Sequence, residues 1–263
     1  MRLNKFIAHY SSYSRREADK AVQDGYVKIN ADVQTNPATQ INERDDRVTL
    51  KGKKISANEQ YTVIAYNKQK GELVTKSDPR QRKTIYDTLP QKYKHFIPVG
   101  RLDYATEGLL LLTDASRVAT ALMTSNMERV YRVKIKGDIN DDIEQAMQKG
   151  MELEDASLGG HELSNIKSMN FAPFFAYNIV KNSPTYSIIK IAISEGKNRE
   201  VRRFFAHFNR DVVDLKRLSF GGIELNNLPS GKVRFLSKNE YTHLHKFLSE
   251  YKKEQKQVKK GKR

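Results

Sequence analysis

Val99-Gly100-Arg101-Leu102-Asp103-Tyr104-Ala105-Thr106-Glu107-Gly108-Leu109-Leu110-Leu111-Leu112-Thr113 sets an acid and a base two residues apart, with apolar sequence on both sides. Phe96-Ile97-Pro98-Val99 precedes the pair and Leu109 to Leu112 follow it. On an extended chain, residues at i and i+2 share a face. Two readings fit. Asp103 and Arg101 form a structural ion pair at a strand end, or Asp103 is a carboxylate held charged but poorly solvated, as a reactive acid requires. The spacing alone leaves both open.

Working outward, the chain of 263 residues suffices for a small and a medium domain. Forty-seven Lys and Arg stand against thirty-one Asp and Glu, a net charge of +16. A surplus of that size points to a polyanion, nucleic acid first. An anionic membrane is the competitor, but no apolar run approaches the ~20 residues of a membrane span and no signal-peptide pattern is present. Cysteine is absent, which excludes disulfides, thiol nucleophiles and cysteine-ligated zinc and is compatible with the cytoplasm. The six histidines form no His-Glu-x-x-His pattern, and His243-x-His245 reads as two surface residues of a terminal helix, so no metal site is expected.

Leu3, Phe6, Ile7 and Tyr10 recur at helical spacing. Ser14-Arg15-Arg16-Glu17 has the form of a capping box, and Ala18, Ala21 and Val22 give the helix it opens an apolar stripe that Gly25 ends. Tyr26 to Asn30 alternates like a strand, and Asp45 to Leu50 reads as a turn into another. Arg15, Arg16, Lys20 and Lys28 cluster around the second helix, suited to RNA phosphates or simply solvated. The basic run Lys51 to Lys54 and the polar residues after it separate this unit from a larger one.

In the larger unit, Tyr61 to Tyr66 is strand-like, and the loop Asp78 to Lys83 is rich in cations, an RNA grip or a basic surface in equal measure. Ser116 to Thr124 reads as a helix. In Glu128 to Gly137, Tyr131, Val133 and Ile135 face one way and Arg132, Lys134 and Lys136 the other, a half-buried strand with a basic outer face. Asn140 to Gly150 is a helix, Met151 to Pro184 has no single period, and Tyr186 to Ile193 is a strand. Asn198 to Phe208 is an amphipathic helix with Val201, Phe204, Phe205 and Phe208 as its stripe and Arg199, Arg202 and Arg203 opposite. Three cations in the first turns of a helix oppose its dipole, so anionic partners are expected for them. Ser237 to Glu240 is a further capping box, opening a helix that uses Tyr241, Leu244, Leu248 and Tyr251. The last twelve residues hold seven Lys or Arg against one Glu and read as a disordered, basic tail.

The motifs together resemble a known family. Gly100-Arg101-Leu102-Asp103, with Thr106, Gly108 and Leu109 to Thr113, is similar to the active-site motif of RsuA/RluB-type ribosomal RNA pseudouridine synthases. Arg2 to Phe6, Ser14 to Ala18 and Gly25 to Asn30 resemble the S4 RNA-binding domain. Arg129-Val130-Tyr131-Arg132-Val133 is similar to the family's tyrosine motif, and Glu195-Gly196-Lys197-Asn198-Arg199-Glu200-Val201-Arg202-Arg203 to its arginine motif. Glu107 departs from the small or neutral residue usual there, which bears on the charge near Asp103, and Thr113 to Ser116 replaces the usual Asn-Asp-Gly-like turn.

The resemblance implies an α+β protein: an S4-like domain over 1–55, a linker at 56–60, a catalytic domain over 61–251 with a mixed, mainly antiparallel sheet flanked by helices, and a tail over 252–263. It implies an isomerase that converts a uridine of ribosomal RNA to pseudouridine, with 23S favoured over 16S on the strength of the basic tail, on free RNA or a pre-ribosomal particle during ribosome biogenesis. Asp103 takes a covalent or general-base role, Arg202 is its basic partner, and Tyr131 stacks on the uracil. Arg101, Arg15, Arg16, Lys20, Lys28, Lys197, Arg199 and Arg203 meet RNA, with helix docking an alternative for Arg199 and Arg203. The reaction balances without a cofactor or metal, and a cytoplasmic monomer is expected. The rival from another class is a non-catalytic RNA-binding or assembly factor, which needs the charge and the S4 module but not Asp103, Tyr131 and Arg202 together.

Overall fold

The computed structural model describes residues 1–11, 13–43, 45–56, 60–161 and 164–260. Most of the linker read at 56–60, and residues 261–263 of the tail, lie outside them.

The N-terminal unit packs two helices, α1 (Leu3–Tyr10) and α2 (Arg15–Gln23), on a small antiparallel sheet of β1 (Val27–Ile29), β2 (Asp32–Gln34), β3 (Val48–Leu50) and β4 (Lys53–Ile55) in the order β2-β1-β3-β4. The Ser14 box forms: its hydroxyl accepts from Glu17 N and the Glu17 carboxylate accepts from Ser14 N. The predicted stripes of both helices, Leu3, Phe6 and Ile7 with Ala18, Ala21 and Val22, close on Val27, Val48 and Leu50.

The larger unit runs β5 (Val63–Lys68), α3 (Ile85–Thr88), β6 (Ile97–Pro98), β7 (Glu107–Thr113), α4 (Ser116–Met123), β8 (Arg129–Lys136), α5 (Asp141–Lys149), β9 (Met151–Leu153), β10 (Met169–Phe171), β11 (Ala176–Lys181), β12 (Tyr186–Ile193), α6 (Glu200–His207), β13 (Val212–Phe220), β14 (Ile223–Glu224), β15 (Val233–Phe235) and α7 (Lys238–Lys260). Its main sheet has the order β11-β12-β8-β13-β7-β5-β15, with β14 on β13 and β6 on β7. Among the described residues of this sheet only the β13–β7 pair is parallel, so the sheet is mixed and mainly antiparallel, as expected.

Continuous apolar runs mark strands buried on both faces, and β5 and β7 show why. Ile64, Tyr66, Leu110 and Leu112 pack under α3, α5 and α6 with Ile143, Val201, Phe204 and Phe205. Val63, Ala65, Leu109 and Leu111 face the other way, against Val118, Ala119 and Leu122 of α4 and Leu244 of α7. Each such leucine contributes about 2 kcal/mol by burial. Strand β8 alternates as read, with Tyr131, Val133 and Ile135 in the first of these cores.

Helix α7 runs to Lys260, so the described part of the 252–263 stretch is helical rather than an irregular tail. Its packed first half nucleates the helix, and Lys, Gln and Glu are strong enough helix formers to propagate it. Among the described residues no helix is long and apolar enough to cross a membrane.

Candidate active site

Asp103 lies in the loop that enters β7. Leu102, buried in the main core, anchors the loop on one side, and a hydrogen bond from Thr106 N to the Asp103 carbonyl (3.0 Å) closes a turn. The four carbonyls of this turn all have donors. Lys68 Nζ donates to the carbonyls of Asp103 (3.2 Å) and Thr106 (2.8 Å), Gly71 N to that of Tyr104 (2.8 Å), and Arg202 Nη2 to that of Ala105 (3.4 Å). A turn held at every peptide fixes where its one carboxylate projects.

That carboxylate is one-third exposed and faces two arginines. Arg199 Nη1 stands 3.4 Å and Arg202 Nε 3.9 Å from Asp103 Oδ2. Both cations are oriented by backbone: Arg199 Nε donates to Gly159 O (2.7 Å) and Arg202 Nη1 to Val212 O (2.9 Å). Burial lowers the Arg202 guanidinium from its ordinary range, as does neighbouring Arg199, while Asp103 and Asp214 raise it. Arginine stays charged under any of these influences. Arg199 ends the loop before α6 in the left-handed conformation, φ +52°, so the helix starts at Glu200, two residues later than the Asn198 start read from the sequence. A non-glycine residue held there is a mark of functional sites.

The other site residues fall into three groups. Tyr131 reaches the same end of the sheet: the register lines up Gly108 on β7, Arg217 on β13 and Tyr131 on β8. It is only 7% exposed, a ring set in the core wall rather than standing free. Arg101 and, in the N-terminal unit, Arg15, Arg16, Lys20 and Lys28 are exposed, Lys20 with an ion pair to Asp24. Lys197 is half-buried, its ammonium on Glu195 (2.6 Å) and the Asn170 carbonyl (2.5 Å).

Two arginines of the motif need separate placement. Arg199, assigned to RNA or helix docking, lies nearer Asp103 than Arg202 does. Arg203, assigned to RNA or helix docking, is fully buried, which removes the RNA half of that assignment. Its guanidinium donates to the carbonyls of Ala156 and Asn198, to Ser164 Oγ and to Asn198 Oδ1. It holds Ala156 and Ser164 on α6 and cannot meet a phosphate from there.

Sequence reasoning missed two buried cations. Lys68 is fully buried at the end of β5, and desolvation pushes its ammonium down to about 8, partly opposed by Glu72, Asp103 and Glu107. Arg217 is buried on β13, its Nε donating to Leu109 O (2.6 Å). Gly108 lets these strands meet, since a Cβ there would overlap the Arg217 carbonyl. Glu107 sits 4.0 Å from Lys216, so the family departure at this position comes with a cation beside it.

A carboxylate on a rigid turn thus faces two arginines, at the end of the sheet where Tyr131 also lies. The sequence profile of RNA pseudouridylate synthases matches residues 62–207, and that of the S4 domain residues 1–48. The chain belongs to the RNA pseudouridylate synthase family. A Helicobacter pylori protein described as an uncharacterized RNA pseudouridine synthase is 49% identical over 251 residues, covering 95% of both chains. The ribosomal large subunit pseudouridine synthase B of Bacillus subtilis is 31% identical, covering 92% of this chain and 95% of its own. A solved pseudouridylate synthase superposes with a TM-score of 0.61 at 26% identity, covering 93% of this chain and 99% of its own. The chain is thus a pseudouridine synthase with an N-terminal S4 domain, its Asp103 loop and arginine motif both inside the matched region.

Proposed function

We propose that this synthase isomerises one uridine of ribosomal RNA, in the large subunit, with Asp103 as the catalytic carboxylate. The observation that carries the reading is the Asp103 carboxylate held between Arg199 and Arg202 on a turn whose four carbonyls are all bound. The likeness to a protein named for the large ribosomal subunit, over more than nine-tenths of this chain, favours that RNA.

In the reaction the N1–C1′ bond breaks and a C5–C1′ bond forms. The C5 hydrogen leaves as a proton and N1 gains one, so atoms and charge balance. The target uracil must leave its stack, at about a few kcal/mol. Asp103 acts as nucleophile or base on the flipped nucleotide, with Arg199 and Arg202 stabilising its negative charge. Tyr131 packs against the uracil, and Arg101, exposed beside it in sequence, fills the space that the base leaves. The S4 domain docks a structured RNA element through Arg15, Arg16, Lys20 and Lys28, by phosphate and shape. The protein works as a monomer in the bacterial cytoplasm, on free RNA or a pre-ribosomal particle.

The test is a pseudouridine map of both ribosomal RNAs from cells lacking the protein, complemented with wild type or Asp103→Ala. One 23S uridine modified only with wild type is the expected result. A 16S site would move the substrate to the small subunit, restoration by both forms would remove Asp103 from the chemistry, and no change at any site would leave a binding factor.

A further inference from the structure

The two faces of the main sheet are unequally covered. One packs under α3, α5 and α6 across β5, β7, β13, β8 and β12. The other is covered by α4 and α7 over β5 and β7, and this second core takes no residue from β8 or β12 and only the terminal Phe220 from β13. Along the middle of β8 and β12 that face meets solvent, where Arg132, Lys136 and Lys190 are exposed.

What stands there is positive, and in register. Lys216 on β13 lies opposite Arg132 on β8, and Arg132 lies opposite Lys190 on β12. Arg132 and Lys190 are exposed and Lys216 is half-buried. Neighbouring strands are about 4.8 Å apart, and like charges directly opposite one another destabilise a sheet. Acids do little to relieve the row. Glu107 is 4.0 Å from Lys216, while Asp211 and Asp214 serve Lys136 and Lys70. Among the described residues, no carboxylate lies within ion-pair distance of Arg132 or Lys190. Beside the row, the Tyr186 ring holds the ammonium groups of Lys134 (4.4 Å) and Lys181 (4.0 Å), which adds to the positive surface.

The row has a fixed relation to the active site. Lys216 also pairs with Glu107, the first residue of β7 and four past Asp103. From there the cations lead away from the Asp103 loop, strand by strand. A repulsive row kept in register beside a nucleic-acid active site calls for a linear polyanion that neutralises it.

We propose that Lys216, Arg132 and Lys190 form a phosphate track, on which the RNA strand that delivers the target uridine continues across the open sheet face. The proposal rests on the RNA-substrate reading above. It assigns this face to the backbone of the substrate, outside the S4 domain and outside the pocket for the flipped base.

The experiment compares the full chain with an Arg132→Gln/Lys190→Gln variant. The dissociation constant for 16S and 23S RNA transcribed in vitro is measured across a salt series, and the melting temperature is measured without RNA. The track predicts binding weakened about tenfold or more, with a log–log salt slope reduced by about two, one for each phosphate that the variant no longer neutralises. It also predicts a melting temperature equal to or above that of wild type, because a like-charge row has been relieved. An unchanged affinity and slope would make the row an ordinary solvated face. Weaker binding with a lower melting temperature would give these residues a structural role instead. Loss of binding to phosphatidylglycerol vesicles, with RNA binding intact, would assign the face to a membrane. Wild type that binds neither RNA in a salt-dependent way would overturn the RNA-substrate reading itself, a result separate from any difference between the two proteins.

Discussion

Lys68 Nζ, fully buried, donates to the main-chain carbonyl of Asp103 at 3.2 Å. The residue that positions the candidate catalytic carboxylate therefore acts on its peptide, from the far end of the strand paired with β7. Its other bonds, to Thr106 O and Gln69 O (both 2.8 Å), tie the Asp103 turn to the end of β5. Lys68→Met keeps the stem and removes the donors. It should lower kcat at least about tenfold, since small displacements of a reacting group are costly, while RNA affinity stays within about twofold of wild type. Single-turnover assays together with filter binding separate the two. An equal loss in both would mean that Lys68 shapes the RNA surface and not the turn.

The burial of Lys68 has a pH signature. Its folded value, about 8, lies below the 10.5 of the free side chain. Between those values the unfolded chain binds the proton that the folded one has released. Stability therefore rises with pH across that window. Other groups titrate there too, so the quantity to follow is the unfolding free energy of wild type minus that of Lys68→Met. It should increase from about pH 8 towards 10.5 and be flat from 6 to 7. A difference independent of pH would place the ammonium in water.

Arg199 and Arg202 should both matter to the chemical step. Arg199→Ala removes the cation 3.4 Å from Asp103, and Arg202→Lys keeps the charge but loses the fork that reaches Val212 and Ala105. Each should reduce kcat about tenfold to a hundredfold. If Arg199→Ala changed only RNA affinity, the role first expected for it from sequence would be restored.

How much of this was legible follows from what leaves a trace in sequence. Periodicity exposes faces, so β8, the stripe of α6 and the Ser14 and Ser237 boxes are readable, and the order of four motifs points to the family. Lys68 is not, because its partners are carbonyls that any residue supplies, and a lysine after Tyr66-Asn67 reads as entry to a turn. Arg203 reads as an outward cation beside Arg199 and Arg202, because what covers it is the loop of Ala156 to Gly160 with Ser164, whose sequence has no period. That loop approaches so closely only because Gly159 and Gly160 lack side chains; a Cβ on Gly159 would lie 2.5 Å from Arg202 O. The charged row on the sheet is half legible: the basic face of β8 can be read, but the strand pairing that brings Lys190 and Lys216 beside it cannot.

Arg203 and the N-terminal arginines give opposite predictions. Arg203 is enclosed, and every donor contact it makes is to this chain. Arg203→Met should leave the Ala156 and Asn198 carbonyls and Ser164 without their donor, at a cost of about 2–4 kcal/mol in urea unfolding. Because the same loop supplies Gly159 O to Arg199, activity should fall as well, with little change in RNA affinity for the protein that remains folded. Arg15→Gln/Arg16→Gln, on exposed side chains, should weaken RNA binding and lower the salt slope while leaving the unfolding free energy in urea within about 0.5 kcal/mol of wild type. Urea midpoints and binding isotherms on the two variants decide the matter. If Arg203→Met kept full stability and lost RNA affinity, the loop would have to open in solution and release the guanidinium to the substrate.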